Sequence, residues 1–332
     1  MPIVINSNAA ATTASFNLSK NAEALRKSLA RLSSGNRITQ PAEDAGGLAV
    51  AYKLDSQAKR TESVLNNHQN ALSYLQVQDG ALETVGKIVN RMSELRTMAA
   101  DVTKNTSDIE NYSKEFRELQ SQLNQVRREK FNGISLFAVT GGVSSTGTLN
   151  SSTSASYSYV DSSGTEQTAS YSSFARTLYT HPSGAAGDGS ISLNVTNLTF
   201  VLSVGTIQGG ATGVNLFCLA STGITAAAGT GITADGFISD ISSVSISQFT
   251  HVIEKVADAR AENGAEQQRI QQSYELHQTN LVNIEAAHGK IMDVDVALES
   301  TRFARNNVLV QASASMTAQA NQLTNIALTL LQ

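Results

Sequence analysis

The feature that most constrains this chain is an apolar seam at coiled-coil spacing near each of its ends. Leu18, Ala22, Leu25, Leu29 and Leu32 follow one another at intervals of 4, 3, 4 and 3 residues, and Leu309, Ala312, Met316, Leu323, Ile326 and Leu330 form a comparable row at the other end. Apolar side chains recurring about every 3.5 residues keep one side of a helix turned toward a partner. Only proline would forbid such helices, and the chain has three, at positions 2, 41 and 182. Long helices are therefore allowed between Pro41 and Pro182 and again after Pro182. Ser33-Ser34-Gly35 suits the end of the first helix, since glycine readily takes the left-handed turn that closes one.

Further seams fill the space between. Ala71, Leu75, Leu82, Val85, Val89 and Met92 make one; Ile109, Tyr112, Phe116, Leu119, Leu123 and Val126 make another. The polar stretch Lys104 to Asp108 turns the chain between them, and Asn132-Gly133 marks a turn out of the helices. Phe249, Val252, Val256 and Ala259 open a seam that Leu281, Ile284, Ile291 and Leu298 continue. Between about 140 and 240 the composition switches to Ser, Thr, Gly and Ala, with no lysine and with Arg176 as the one basic residue. There, Ser156–Val160, a turn at Asp161–Gly164 and Thr165–Tyr171 read as strand, turn, strand. Ile191–Val204 alternates apolar and polar residues as half-buried strands do, while 205–233 has too much Gly and Thr to assign. The expected fold is mainly α, with a β-rich Ser/Thr/Gly insert in the middle.

Composition excludes several classes. The formal charge of -4 comes with no basic stripe, which argues against nucleic acid as a partner. No apolar run approaches the roughly 20 residues of a membrane span. The start, Met1-Pro2-Ile3-Val4-Ile5-Asn6, lacks the charged and apolar regions of a cleavable signal peptide. One cysteine, Cys218, offers no internal disulfide; in its apolar, β-like surroundings it is expected to be buried and inert.

A lone terminal helix of this kind does not recover the entropy of ordering its own backbone. Either the two ends pair within one subunit, as in an ordinary bundle, or they are disordered in the monomer and fold when subunits pack. Periodicity favours the bundle. The apolar residues that run almost to Gln332 favour a partner for the chain end.

The segment LSSGNRITQPAEDAGGLAVAYKL, residues 32–54, resembles the N-terminal signature of bacterial flagellins through Leu32, Ser33, Ser34, Gly35, Arg37, Asp44, Ala45, Gly47 and Leu48. Lys130-Phe131-Asn132-Gly133 is similar to the family's KFNG turn. Asn280-Leu281, Ala286-Ala287, Ile291, Asp293, Asp295, Ala297 and Glu299 follow its C-terminal pattern, as do Gln319, Ala320, Asn321 and the final leucines. The resemblance covers both helical zones in order. It departs at Ala286-Ala287-His288-Gly289-Lys290, at Thr324-Asn325, at Gln40-Pro41 and at the cysteine, none of which touches a seam.

The resemblance implies a fold of long antiparallel coiled-coil helices from both chain ends. Residues 1–43 and 290–332 would form the inner coiled-coil core of a hollow filament, 44–138 and 241–289 an outer helical domain, and 139–240 a solvent-facing variable insert with a β-hairpin. It implies a secreted structural subunit that polymerises with itself into the extracellular flagellar filament for swimming. Subunits of this kind would pack in two closely balanced ways, which needs a bistable interface. The implied partners are the flagellar export apparatus and its chaperone, and cap and hook-junction proteins, with no nucleic acid and no membrane. The implied assembly seams are Leu18, Leu25, Leu29 and Leu32 with Leu309, Met316, Leu323, Ile326 and Leu330. A hook–filament junction protein is the nearest alternative, and a filament with an adhesive or glycan-bearing insert is another. Asn194-Val195-Thr196 and Asn197-Leu198-Thr199 match glycan acceptor patterns. Arg91, Leu95 and Glu115 fall where an innate immune receptor would contact the family, although Ser93 stands in place of the family's second arginine.

No catalytic, cofactor or metal set emerges. The histidines His68, His181, His251, His277 and His288 include no pair at the i, i+4 spacing of a zinc protease helix. Each reads as a surface or interface residue. Gly289-Lys290 lacks the earlier glycine of a phosphate loop, and no G-x-S-x-G occurs.

Overall fold

The structure, a computed structural model, describes residues 8–138, 150–160, 166–185, 187–205, 214–216, 238 and 240–329. It divides into two compact units, Met1–Arg60 with Thr279–Gln332, and Thr61–Gln278.

The first unit is built on an antiparallel helix pair, α1 (Ala9–Ser34) and the chain's last helix, α6 (Val296–Thr329). Asn8 caps α1 by accepting from the Ala11 amide, and Gly35 closes it at φ 72°, its N–H donating to Arg31 O. That positive φ is why Ser-Ser-Gly ends the helix here. The pairing direction follows from three side-chain bonds. Asn8 Nδ2 donates to Ala320 O at 2.8 Å, Asn21 Nδ2 to Ser313 Oγ at 2.8 Å and Asn306 Nδ2 to Ser28 Oγ at 3.3 Å. As numbers rise along α1 they fall along α6, and the α6 partners 306, 313 and 320 are one heptad apart.

The second unit gathers the greater part of α2 (Ala45–Ala99), α3 (Thr106–Arg127) and most of α5 (Ile246–Met292) around one core. Asn105 opens α3 with a capping box, its side chain accepting from Asp108 N while Asp108 accepts from Asn105 N. The internal seams meet here. Leu75, Leu82, Val85, Val89 and Met92 of α2 are buried with Phe116 and Leu123 of α3 and Phe249, Val252 and Val256 of α5. Phe116 and Phe249 pack edge to face at 6.2 Å.

Two short strands, β1 (Lys130–Phe131) and β2 (Ile134–Ser135), form a hairpin after α3. Asn132 at φ 49° and Gly133 at φ 77° make its two-residue turn, which needs positive φ at both positions. The insert contributes a three-stranded antiparallel sheet, β3 (Asn150–Val160), β4 (Glu166–Tyr179) and β5 (Ser190–Val195). Val160 pairs with Glu166, so the expected hairpin forms, while its turn lies outside the described residues. β4 runs eight residues past the expected end at Tyr171 because its second half pairs with β5.

The reading of 191–204 as half-buried strands holds at its two ends and is corrected between them. β5 stops at Val195, and Asn197 then accepts from the Thr199 and Phe200 amides, capping a single helical turn, α4 (Leu198–Val201). Leu198, Val201 and Leu202 bury together at helical rather than strand spacing. A short strand, β6 (Ser203–Gly205), pairs with β7 (Val214–Asn215), and a 3-10 turn at Ile241–Ser243 leads into α5. Ile191, Leu193, Leu198 and Leu202 join the core of the helices. Cys218 lies outside the described residues.

Candidate functional site: the terminal helix pair and its turns

The residues that carry the resemblance are mostly turn chemistry. After Gly35 the chain runs beside the α5–α6 junction: Val294 N donates to Gly35 O, Arg37 N to Met292 O and Arg37 Nε to Ile291 O, with Asn36 bridging Asp293. Asp44 caps α2 by accepting from Gly47 N at 2.8 Å, and its carboxylate lies 3.7 Å from Arg37. A side chain on Gly47 would run into that carboxylate, which accounts for the glycine. Ala45 and Leu48 are the first and fourth residues of the capped helix. At the other turn Asp293 N donates to Gly289 O, and a Cβ on Gly289 would come within 2.8 Å of Asp293 Oδ2. Asp295 caps α6 through Leu298 N at 3.0 Å.

Buried charge fastens these turns to α1. Glu43 takes Lys27 at 2.8 Å, Arg31 at 3.4 Å and the Thr39 amide at 3.2 Å. Desolvation pushes its carboxyl up, but Lys27, the Thr39 N–H and Arg31 together outweigh that and hold it below the usual carboxylate range. Glu299, almost fully buried, lies 3.9 Å from Arg31 and 3.3 Å from Arg302.

The candidate assembly residues fall on two sides of the pair. Leu18, Leu25 and Leu32 are half-buried, whereas Leu29, Leu309 and Met316 are exposed. The half-buried row of α6 is a different one: Phe303, Asn306, Val310, Ser313, Thr317 and Ala320, at spacings 3, 4, 3, 4 and 3. α6 therefore carries two rows, and the more apolar one lies open. Ala9, Ala10, Thr13 and Ala14 of α1 form a groove of about 570 Å³ with Leu309, Ala312 and Met316. Ala320 O accepts from Asn8, while Gln319 and Asn321 are exposed. Leu323 and Ile326 lie in the last turns of α6, and Leu330 is outside the described residues.

In the second unit Arg91 and Glu115 are brought together, Nε to Oε1 at 2.8 Å, and both are exposed. Leu95, one turn beyond Arg91, is fully buried.

Sequence reasoning missed the buried polar links. Gln78, fully buried, donates to Leu136 O and Thr196 Oγ1 and accepts from Asn263 Nδ2 at 2.9 Å. His68 departs from the surface expectation. It is buried, its Nδ1 donates to Val64 O at 2.7 Å, and its ring lies 5.5 Å from that of His277. Burial, then His68 and His181, lower the His277 pKa. Polar residues inside helices carry no periodic mark that separates these from surface ones. Among the described residues no helix is long and apolar enough to cross a membrane, and no three His, Cys, Asp or Glu side chains are grouped to hold a metal.

Two family models match the chain: the bacterial flagellin N-terminal helical region over residues 5–141 and the bacterial flagellin C-terminal helical region over residues 246–331. Flagellin A of Vibrio anguillarum is 29% identical over 100% of both chains. Flagellin of Bacillus subtilis is 28% identical over 96% of each. Flagellin FlaB2 of Treponema pallidum is 25% identical over 99% of this chain and 100% of its own. The matched regions hold the helix pair, both signature turns and the helical seams, and on that ground this chain belongs to the bacterial flagellin family, as a structural subunit of the extracellular flagellar filament.

Proposed function

We propose that the exposed row of the helix pair is the polymerising surface, and that the observation carrying this reading is the mismatch between the two rows of α6. The row toward α1 is knitted by Asn306, Ser313 and Ala320. Phe16 and Met316, 68% and 66% exposed, stand outside it together with Leu29, Val308 and Leu309. Apolar surface of this extent along a long helix pair is stable only when covered, and in a self-polymerising family the covering molecule is another subunit. Residues 1–43 and 290–332 would then line the inner core of the filament, and 44–138 with 241–289 the layer around it.

Export as an unfolded chain through the flagellum's own channel fits the same picture. Among the described residues the helix pair buries few large side chains, so opening it costs little. Chaperone, cap and junction partners would meet the exposed rows that neighbouring subunits later cover. An innate immune receptor would engage the exposed Arg91–Glu115 pair, with Leu95 supporting it from beneath. Glycans on Asn194 or Asn197 are disfavoured, because Asn194 Nδ2 donates to Glu262 and Asn197 caps α4.

Seeding purified subunit with filament fragments tests the assembly reading. Filament growth by electron microscopy, with a rise in helical circular dichroism, is expected. A fully helical monomer that never elongates seeds would overturn it and restore a junction role. Unchanged receptor signalling by an Arg91→Ala variant would remove the receptor from the partners.

A further inference from the structure

Away from the helix pair, the second unit holds a cavity of about 330 Å³ between α5 and the turn from β5 into α4. Lys255, Asp258 and Glu262, at spacings of 3 and 4 on one face of α5, line one side. Asn194, Thr196 and Phe200 line the other. The volume lies at the lower end of the range for small-molecule pockets, about 300–1,000 Å³.

Lys255 is held unlike the paired lysines of this chain. Lys27, Lys59, Lys87 and Lys114 each meet a carboxylate, at 2.8, 2.8, 2.6 and 3.8 Å. The amine of Lys255 instead donates to Ser203 O at 2.8 Å and Ser203 Oγ at 3.0 Å, and stands 5.0 Å from the centre of the Phe200 ring. Every one of these partners is neutral. An ammonium drawn out of water with no counter-ion gives up its proton more readily, and burial lowers Lys255 to about 8. A sizeable share of it is thus the free amine, the nucleophilic form, in mildly alkaline solution.

The rest of the wall suits hydroxyl groups. Asp258 makes no hydrogen bond or ion pair among the described residues. Among the described residues Glu262 gives one oxygen to Asn194 and keeps the other free, and Thr196 Oγ1 accepts from Gln78 while its own proton remains to be donated. Free carboxylate oxygens beside a hydroxyl and an aromatic ring match the edge and face of a small polyol.

We propose that Lys255 is a modification site for a small sugar aldehyde, an open-chain aldose whose hydroxyls are held by Asp258, Glu262 and Thr196 while its C1 meets the lysine nitrogen. The amine lone pair attacks C1, and the carbonyl oxygen takes up the proton that nitrogen releases, giving a carbinolamine. Loss of that hydroxyl as water, with the nitrogen lone pair closing the double bond, leaves an imine. One amine and one aldehyde become one imine and one water, with no oxidant or reductant consumed. Asp258 and Glu262, in the same cavity, carry the proton to the departing hydroxyl.

The test incubates the full chain with D-ribose and sodium cyanoborohydride at pH 8, which traps the imine, and maps the label across all ten lysines by peptide mass. Propanal, an aldehyde without hydroxyls, is run in parallel. With ribose, Lys255 is expected to label at least tenfold faster than the median of the other nine. With propanal that lead falls below threefold. Asp258→Asn, which disturbs no side-chain bond among the described residues, is expected to cut the ribose lead at least threefold. Ribose labelling of Lys255 at or below the median overturns the site. An equal lead with propanal, or an unchanged lead in Asp258→Asn, overturns sugar recognition.

Discussion

The two units are built from helices of the same apolar period, yet they bury them in opposite ways. In the second unit, three helices and the base of the insert close over their seams until Leu75, Leu82, Val89, Phe116 and Phe249 are sealed from water. In the first, α1 and α6 meet through Asn21–Ser313 and Ser28–Asn306 and leave Leu29, Leu309 and Met316 outside. A coiled-coil period therefore states that a helix needs a partner and leaves open whether that partner belongs to the same chain. A third helix decides it. α3 and α5 both lie against the α2 seam, whereas the α1–α6 pair has two helices for its apolar rows.

The largest effect that separates the two units is a cavity. Phe249→Ala should cost about 3–5 kcal/mol in the unfolding of the subunit, since a fully buried ring in edge contact with Phe116 is lost. Leu309→Ala should cost under about 0.5 kcal/mol in the same urea titration, because its side chain is already partly in water. Equal losses would erase the contrast.

A second break uses polar links instead of apolar ones. Gln78→Leu strands Asn263 Nδ2 and takes the donor from Thr196 Oγ1 inside the core, and should cost about 2–3 kcal/mol. Asn21→Ala, whose partner Ser313 stays within reach of water, should cost about 0.5 kcal/mol. Hydrogen exchange of the amides near each site would resolve the two.

The third moves the readout from folding to assembly. Met316→Glu places a charge on the open row and should leave monomer unfolding unchanged. It should raise the critical concentration for seeded growth at least tenfold, about 1.4 kcal/mol per subunit contact. Normal growth would mean that the open row is not the contact.

How much of this the sequence disclosed follows from the same contrast. The internal seams, the Asn132-Gly133 turn and the Gly35 helix end were legible, because period and positive φ leave marks on residue type. The α6 row that faces α1 was not, since Asn306, Ser313 and Thr317 look like surface residues and Leu309 with Met316 look like core. The strand reading of 191–204 failed where Asn197, one short polar residue, switches the chain from a period of 2 to a helical turn. Gln78, His68 and Lys255 were invisible because burial of a polar side chain depends on what crosses it from elsewhere in the chain. The signature was legible as a likeness and becomes physical in the turns, where Asp44 caps α2 at Gly47 and Asp295 caps α6 at Leu298.

The smallest effect is also the one with opposite signs in the two units. Glu43, in the first, has its pKa lowered in the fold, so the unfolded chain binds more protons as pH falls. Its contribution is present above its unfolded pKa and is lost as pH drops through the folded value. Glu266, in the second, is pushed up to about 7, first by burial and then by Glu262, against the Asn194 N–H and Arg269, which hold it down. Between the ordinary value of 4.5 and about 7 the folded chain holds the extra proton, so stability falls as pH rises through that window. Glu266 keeps some contact with water, so screening holds the whole effect near about 1 kcal/mol. Urea midpoints at pH 5 and pH 7 should therefore show a decline in the transition of the second unit, which Glu266→Gln flattens. Glu43→Gln should instead weaken the first unit more at pH 6 than at pH 3. If both variants shifted the same transition with the same sign, the carboxylates would not be reporting on two separately built units.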